Sequence, residues 1–300
     1  MAGVNPNHDG SIVLVGAASR AGKAIAEAIA HRGVIPVHRG DGPGVVVRDY
    51  AEVPRGSIPE GSTVINCVGT PRGAWGELQR INVDVALSWA RAAKLAGAAH
   101  FIQLSSFSVY GRAHWIERGT PETPASDYGH AKLAADNALV QLSSPTMPIT
   151  ALRIPMLFGD GADKLSQIVR LTAKSAIVPQ TTEPMPRSML SYQGLARAVA
   201  ALVDDPRSGA VLFADPTPFD YDLLAERISA VTGRRVSRLR VGRLASAFAR
   251  KFAPSIHARL LAPSFLAPAA ALECDLPESV TLIPYLDRLI AFHTQTLNDG

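Results

Sequence analysis

Tyr128 and Lys132 stand four positions apart in Tyr-Gly-His-Ala-Lys, and their spacing is the first in the chain that could do chemistry. On a helix it sets both side chains on one face, one turn apart. An ammonium beside a phenol stabilises phenolate and lowers a tyrosine pKa that is otherwise about 10. Such a tyrosine can exchange a proton with a carbonyl or an alcohol near neutral pH. A second source of hydroxyl groups follows the apolar run from His100 to Leu104, in Ser105-Ser106-Phe-Ser-Val-Tyr-Gly111. A hydroxyl at the C-terminal end of a parallel strand lies where doubly wound sheets bind ligands.

A third feature is the turn Gly16-Ala-Ala-Ser19-Arg20-Ala21-Gly22, between a short apolar run and a helical pattern. Glycines there permit a tight turn and let a pyrophosphate approach the backbone, with its charge on the helix N-terminus. Ser19 stands in the place of the middle glycine. The next strand ends in His38-Arg39-Gly40, where an acidic side chain would hydrogen-bond both ribose hydroxyls of NAD. Arg39 and Arg20 instead suit a 2′-phosphate, which a guanidinium can grip through two hydrogen bonds. NADP(H) is therefore favoured, and Asp41 keeps NAD(H) possible.

These residues need elements to carry them. Ser11–Val15, Val34–His38, Val45–Val47, Thr63–Cys67, His100–Leu104 and Ile149–Ile154 read as strands. Helical patterns fall at Ala24–His31, closed by Gly33, at Leu78–Leu95, closed by Gly97, and at Tyr128–Leu142. Alternating strands and helices predict a doubly wound parallel α/β sheet with helices on both faces. After Ile154 the rhythm breaks, with prolines clustered at 179–186 and 216–218 and helices at about 164–174, 193–203 and 220–232. The expected division is a dinucleotide-binding domain over 1–154, to which 188–213 returns. A smaller, mostly helical substrate lobe takes 155–187 and 214–300.

Composition narrows the classes. Hydrophobic residues make up 47% and charged residues 19% of 300, which suits a globular protein and excludes a disordered one. Two cysteines, Cys67 and Cys274, are too few for a disulfide framework, and the eight histidines lack ligand spacing, so no metal is expected. Neither a signal region in Met1–Gly10 nor an apolar run long enough for a membrane span is present, and a cytoplasmic location is expected. Net charge is +4, yet the acid-free window 234–259 alone carries +8. It could meet a membrane surface or an acidic partner, with Phe248 and Phe252 one turn apart, or it could be a solvated face paired within the fold. Trp75, Trp89 and Trp115 read as anchors rather than base-stacking platforms, so nucleic acid is not an expected partner.

Taken together, the motifs resemble the extended short-chain dehydrogenase/reductases, specifically the sugar-nucleotide epimerase/dehydratase family. The resemblance rests on the Gly16–Gly22 turn, Asp49-Tyr50, Asn66-Cys-Val-Gly69, Asn82, Ser105–Gly111, Tyr128-x-x-x-Lys132, Leu152-Arg-x-Pro-x-x-x-Gly159 and Arg187-Ser188. It implies a Rossmann fold, with Gly16, Ser19, Arg20, Ala21, Gly22 and Arg39 around the cofactor. It also implies that Asp49 and Tyr50 meet adenine and that Cys67, Val68 and Gly69 form the loop over pyrophosphate and ribose. Asn82 and Pro155 then lie beside the cofactor, and Lys132 holds the nicotinamide ribose while tuning Tyr128. Ser106, in preference to Ser105, and Tyr128 match the catalytic serine and acid/base, and Met156 and Arg187 fall at the substrate. Met156 departs from the asparagine frequent in members that bind UDP-sugars, and Ser191–Gly194 lacks the acidic residue usual after Arg187. The nearest resemblance is to bacterial reductases of UDP-linked 4-keto-6-deoxy amino sugars. The expected activity is hydride transfer at a sugar carbon, C4, of a nucleotide sugar, by a monomer or homodimer. A 4-epimerase with tightly held NAD and a non-catalytic NAD(P)-binding sensor or assembly subunit stay open as alternatives.

Overall fold

The computed structural model describes residues 10–159, 163–180, 186–240 and 264–298. β1 (Ile12–Val15) is wholly buried, as its unbroken apolar run requires of a central parallel strand. Helix α1 (Arg20–Ala28) starts where the Ser19 hydroxyl accepts a hydrogen bond from the Gly22 N–H at 3.0 Å, an N-cap. Next come β2 (Val34–His38), β3 (Val45–Val46) and β4 (Thr63–Asn66). α2 (Trp75–Gln79) runs through a π-helical turn (Arg80–Asp84) into α3 (Val85–Leu95), where Gly97 at φ +73° ends it. β5 (His100–Ser106) leads through a 3-10 turn (Phe107–Tyr110) to β6 (Trp115–Ile116) and then α4 (Asp127–Val140). β7 (Ile149–Ile154), β8 (Met156–Phe158), α5 (Lys164–Ser175) and β9 (Ile177–Gln180) follow. The chain continues through β10 (Met189–Ser191), α6 (Tyr192–Asp204), β11 (Gly209–Leu212) and α7 (Tyr221–Thr232). It ends with β12 (Ser237–Arg240), β13 (Phe265–Leu266) and α8 (Leu282–Asn298).

Seven strands form one sheet in the order β11-β7-β5-β4-β1-β2-β3, every pair parallel. Alternation along β1 serves both faces. Ile12 and Leu14 pack with Ile25 of α1, with Ile29 just beyond it and with Leu195, Val199 and Leu202 of α6, whereas Val13 and Val15 pack with Trp89, Ala90 and Ala93 of α3. This is a doubly wound, Rossmann-like α/β fold. A separate core of Leu165, Val169, Leu224, Ile228, Leu286 and Ile290 joins α5, α7 and α8. The Arg227 guanidinium, bidentate to Asp287 at 2.8 and 2.7 Å, ties α7 to α8.

Two expectations change. α1 ends at Ala28 rather than at Gly33, because the Gly33 carbonyl already accepts the Ile12 N–H that opens the pairing of β1 with the incoming β2. The expected helix at 78–95 starts at Trp75 and carries the π turn. Of the basic window, Arg238 pairs with Asp222 and Arg234 donates to the carbonyl oxygens of Ala173 and Lys174. Arg243, Phe248, Arg250, Lys251, Phe252 and Arg259 lie outside the described residues. Among the described residues no helix is long and apolar enough to cross a membrane.

Candidate active site

Because all seven strands are parallel, their C-terminal ends share one edge. There the chain runs from β1 to β2 and β3 on one side and then crosses to β4 on the other. Such a switch in strand order opens a crevice beyond the strand ends. Gly16 ends β1, buried, with its N–H on the Val37 carbonyl at 3.0 Å. A Cβ at Gly22 would stand 2.4 Å from the Gly16 carbonyl oxygen and 2.7 Å from Ala17 Cα, so α1 can lie this close to the turn only with glycine there. Ser19 and Arg20 are exposed at the mouth of the turn, and Ala21 is half-buried.

Beyond β2, Arg39 lies over the Tyr50 ring, 5.4 Å from its centroid. Asp49 accepts the Ala51 N–H at 3.0 Å and an Arg80 hydrogen bond at 2.5 Å. The Ala51 N–H, with the Arg80 and Arg39 charges, holds the Asp49 carboxyl below the ordinary carboxylate range. The Tyr50 carbonyl accepts the Trp89 indole N–H at 2.8 Å, anchoring this segment to α3. Arg80 was not among the expected site residues. Its partner lies 31 positions away, and no spacing rule connects the two.

On the other side of the switch, Val68 and the half-buried Cys67 lead to Gly69. A Cβ on Gly69 would be 3.1 Å from both Asn82 Oδ1 and Lys132 Nζ, so its bare backbone lets the π turn and α4 close on the β4 loop. Asn82 Oδ1 accepts the Thr70 N–H at 3.1 Å, and Nδ2 donates to the Thr70 and Leu78 carbonyls, both at 3.0 Å. Burial pushes the Cys67 thiol up to about 12, against the pull of Lys132, so it remains a neutral thiol.

The two serines that end β5 separate by strand alternation. Ser105 is buried and donates to Asp136 Oδ2 at 2.8 Å, while Ser106 turns to the opposite side, near enough to Tyr128 to oppose the rise in its phenol's pKa. Ser106 Oγ also accepts the Ser108 N–H and donates to Ser108 Oγ, each at 3.1 Å. Lys132 Nζ donates to the Leu104 carbonyl at 2.9 Å and lies 6.0 Å from the Tyr128 ring centroid. Burial lowers the Lys132 amine to about 8, opposed by Asp136 and by Cys67. The expected lowering of the Tyr128 pKa is corrected: burial raises it, the Ser106 hydrogen bond opposes, and Asp136 adds to the rise. Desolvation is the largest influence on this phenol.

Pro155 follows Ile154, which pairs with Ser106 in register, and so lies at the same strand end as the serine. Met156 is half-buried on β8, paired with Met189 of β10. Arg187 is half-buried, its N–H and carbonyl both bonded to Phe219 at 2.8 Å. Burial brings its guanidinium down to about 10, with the nearby Tyr221 opposing. Tyr221 is a neighbour that no motif pointed to.

A family model described as "NAD dependent epimerase/dehydratase family" matches residues 12–210. Among curated proteins, none matches the sequence. Among solved structures, the chain is similar to MoeE5 in complex with UDP-glucose and NAD, at 20% identity and a TM-score of 0.66 over 96% of this chain and 100% of that one. It is also similar to RMD from Pseudomonas aeruginosa complexed with NADPH, at 16% identity and a TM-score of 0.66 over 94% and 99%. A dTDP-4-dehydrorhamnose reductase from Clostridium acetobutylicum aligns at 18% identity and a TM-score of 0.61 over 96% and 99%.

Proposed function

The chain belongs to the NAD dependent epimerase/dehydratase family, and from that premise we propose that it is an NAD(P)-dependent reductase of a nucleotide-linked 4-keto sugar. The observation that carries this reading is the grouping of Ser106, Tyr128 and Lys132 at the C-terminal edge of β5, beside the switch in strand order. The residues fit a dinucleotide. Gly22 and Gly69 leave the backbone bare where a side chain would collide, and two arginines, Arg20 and Arg39, flank the β1–β2 side.

When bound, the nicotinamide supplies the hydride. Tyr128 gives the proton to the sugar oxygen, and its raised pKa keeps it protonated for that task. Ser106 donates to the same oxygen and polarises the carbonyl. Lys132 holds the nicotinamide ribose, Asp49 and Tyr50 meet adenine, and Gly16, Ser19, Ala21, Cys67, Val68, Asn82 and Pro155 line the cofactor's path. Arg187 anchors the substrate diphosphate, remote from the reacting carbon, with Met156 near the sugar. In this reading 1–154 and 188–213 bind the dinucleotide, and 155–187 and 214–300 bind the substrate.

Arg20 and Arg39 favour NADP(H), which cells hold reduced, and the likeness to a 4-dehydrorhamnose reductase supports the same direction. A second reading, a 4-epimerase retaining NAD, is supported by the likeness to a protein holding UDP-glucose and NAD. Tyr128→Phe tests the core of both. With a nucleotide sugar chosen by thermal-shift screening alongside NADP and NAD, kcat should fall by a factor on the order of 10²–10⁴. Cofactor affinity, read by fluorescence titration, should stay close to the wild type. Retention of most turnover overturns the assignment.

A further inference from the structure

Asp136 has no role in the scheme above, yet it is buried on α4 one turn beyond Lys132. Its Oδ2 accepts from Ser105 Oγ at 2.8 Å and from Arg153 Nε at 3.0 Å. Its Oδ1 is buried with no hydrogen-bond partner among the described residues. Arg153 also donates to Glu122 at 2.5 Å and to the Tyr110 hydroxyl at 2.9 Å. One guanidinium therefore serves two carboxylates, and the cluster reaches charge balance only when Lys132 is an ammonium. A buried charge needs such a counter-charge.

We propose that Asp136 is a positioning residue for the Tyr128–Lys132 pair: a buried counter-charge, clamped by Arg153 and Ser105, that holds the Lys132 ammonium beneath the end of β5. The proposal rests on reading Tyr128 and Lys132 as the acid–base pair. The groups that face Lys132 are Asp136 and Tyr128 from its own helix and Cys67 from the β4 loop. Those that face Asp136 are Lys132, Ser105 of β5 and Arg153 of β7, with Tyr110 and Glu122 behind the arginine. The sign follows from these neighbours. Asp136 raises the proton affinity of Lys132 against the burial that lowers it, and it raises that of Tyr128 as well. Removing its charge makes both groups lose their protons at lower pH, and the pair titrates as a coupled unit.

The chain has six lysines, few enough for an NMR titration of protein carrying ¹³C-labelled lysine, free of cofactor, with Lys132→Arg identifying the signal. Wild-type Lys132 should titrate near 8. Asp136→Asn should lower that midpoint by about 1 pH unit or more, and Asp136→Glu should restore it. The alkaline limb of kcat/KM should move in parallel. An unmoved Lys132 midpoint, or a moved midpoint with an unmoved limb, overturns the proposal. Should the Asn variant not fold, Asp136→Ser removes the same charge with a smaller side chain and must lower the midpoint; a rise or no change overturns it equally. Full activity in Tyr128→Phe would defeat the acid–base reading while leaving the cofactor-free titration as it is, so the two failures separate.

Discussion

Arg39 is exposed, stacked on Tyr50 with the Asp49 carboxylate near it, so its guanidinium can turn to a ligand at little structural cost. Arg39→Asp should therefore weaken NADP(H) about tenfold to a hundredfold, the range of a charged hydrogen bond, and leave NAD(H) nearly unchanged. Titration of cofactor fluorescence checks this. Equal wild-type affinities for the two cofactors would remove the basis for a 2′-phosphate site. The residues of the candidate site that sequence made legible are those whose meaning lies in short spacing: Tyr128 with Lys132, Ser106 with Tyr110, and the glycine turn. Arg80 and Tyr221 were not legible, and neither was the pairing of Asp136 with Arg153, because in each case the partner is brought near only by the packed fold. The raised proton affinity of Tyr128 was not legible either. Four-residue spacing reports an ammonium, but burial is a property of the whole packed site.

At the scale of elements, the first turn and helix are coupled by a contact that tolerates no side chain. Gly22→Ala should force α1 away from the turn and destabilise the fold by roughly 1–3 kcal/mol, the usual cost of overpacking. A lowered Tm with weakened dinucleotide binding is expected, and an unchanged Tm would show that the turn relaxes freely. The six strands read from the sequence fall within two residues of those observed, because a buried parallel sheet writes itself as short apolar runs between turn residues, whereas the two- to four-residue strands outside that sheet left no such signal. The interruption between α2 and α3 was not. Its apolar pattern passes smoothly through the π turn, and its cause is a side chain: Asn82 Nδ2 takes the Leu78 carbonyl four residues back, inside the helical ladder. Only the Thr70 backbone, which grips the other end of Asn82, explains why that conformation persists.

At the scale of the molecule, one carboxylate joins the loop after β8 to the last helix. Asp163 caps α5 through the Ser166 N–H at 2.8 Å and accepts from the Gly159 N–H at 2.9 Å and the Tyr285 hydroxyl of α8 at 2.7 Å. Burial alone would raise its pKa, but these hydrogen bonds outweigh it and leave the value below the ordinary 3.8. A depressed folded-state value means stability that is fully present above the unfolded value and is lost as pH falls through the folded one. Asp163→Asn should thus lower Tm at neutral pH, and the gap to wild type should close below about pH 4. Thermal melts across pH check it, and a gap constant with pH would mean the carboxylate charge contributes nothing. After Ile154 the sequence was legible only as prolines and helices, since the core that joins α5, α7 and α8 is assembled from residues far apart in the chain. The pairing of β11 with β7 carries a last consequence. The chain makes its whole excursion through β8, α5, β9, β10 and α6 before β11 covers the flank of β7, all six residues of which are buried. A fragment cut after Ile154 would leave the outer edge of β7 bare, its N–H and carbonyl groups unpaired, which is the template on which chains aggregate. The first half of this molecule has its last sheet edge covered by a strand the chain delivers more than fifty residues later.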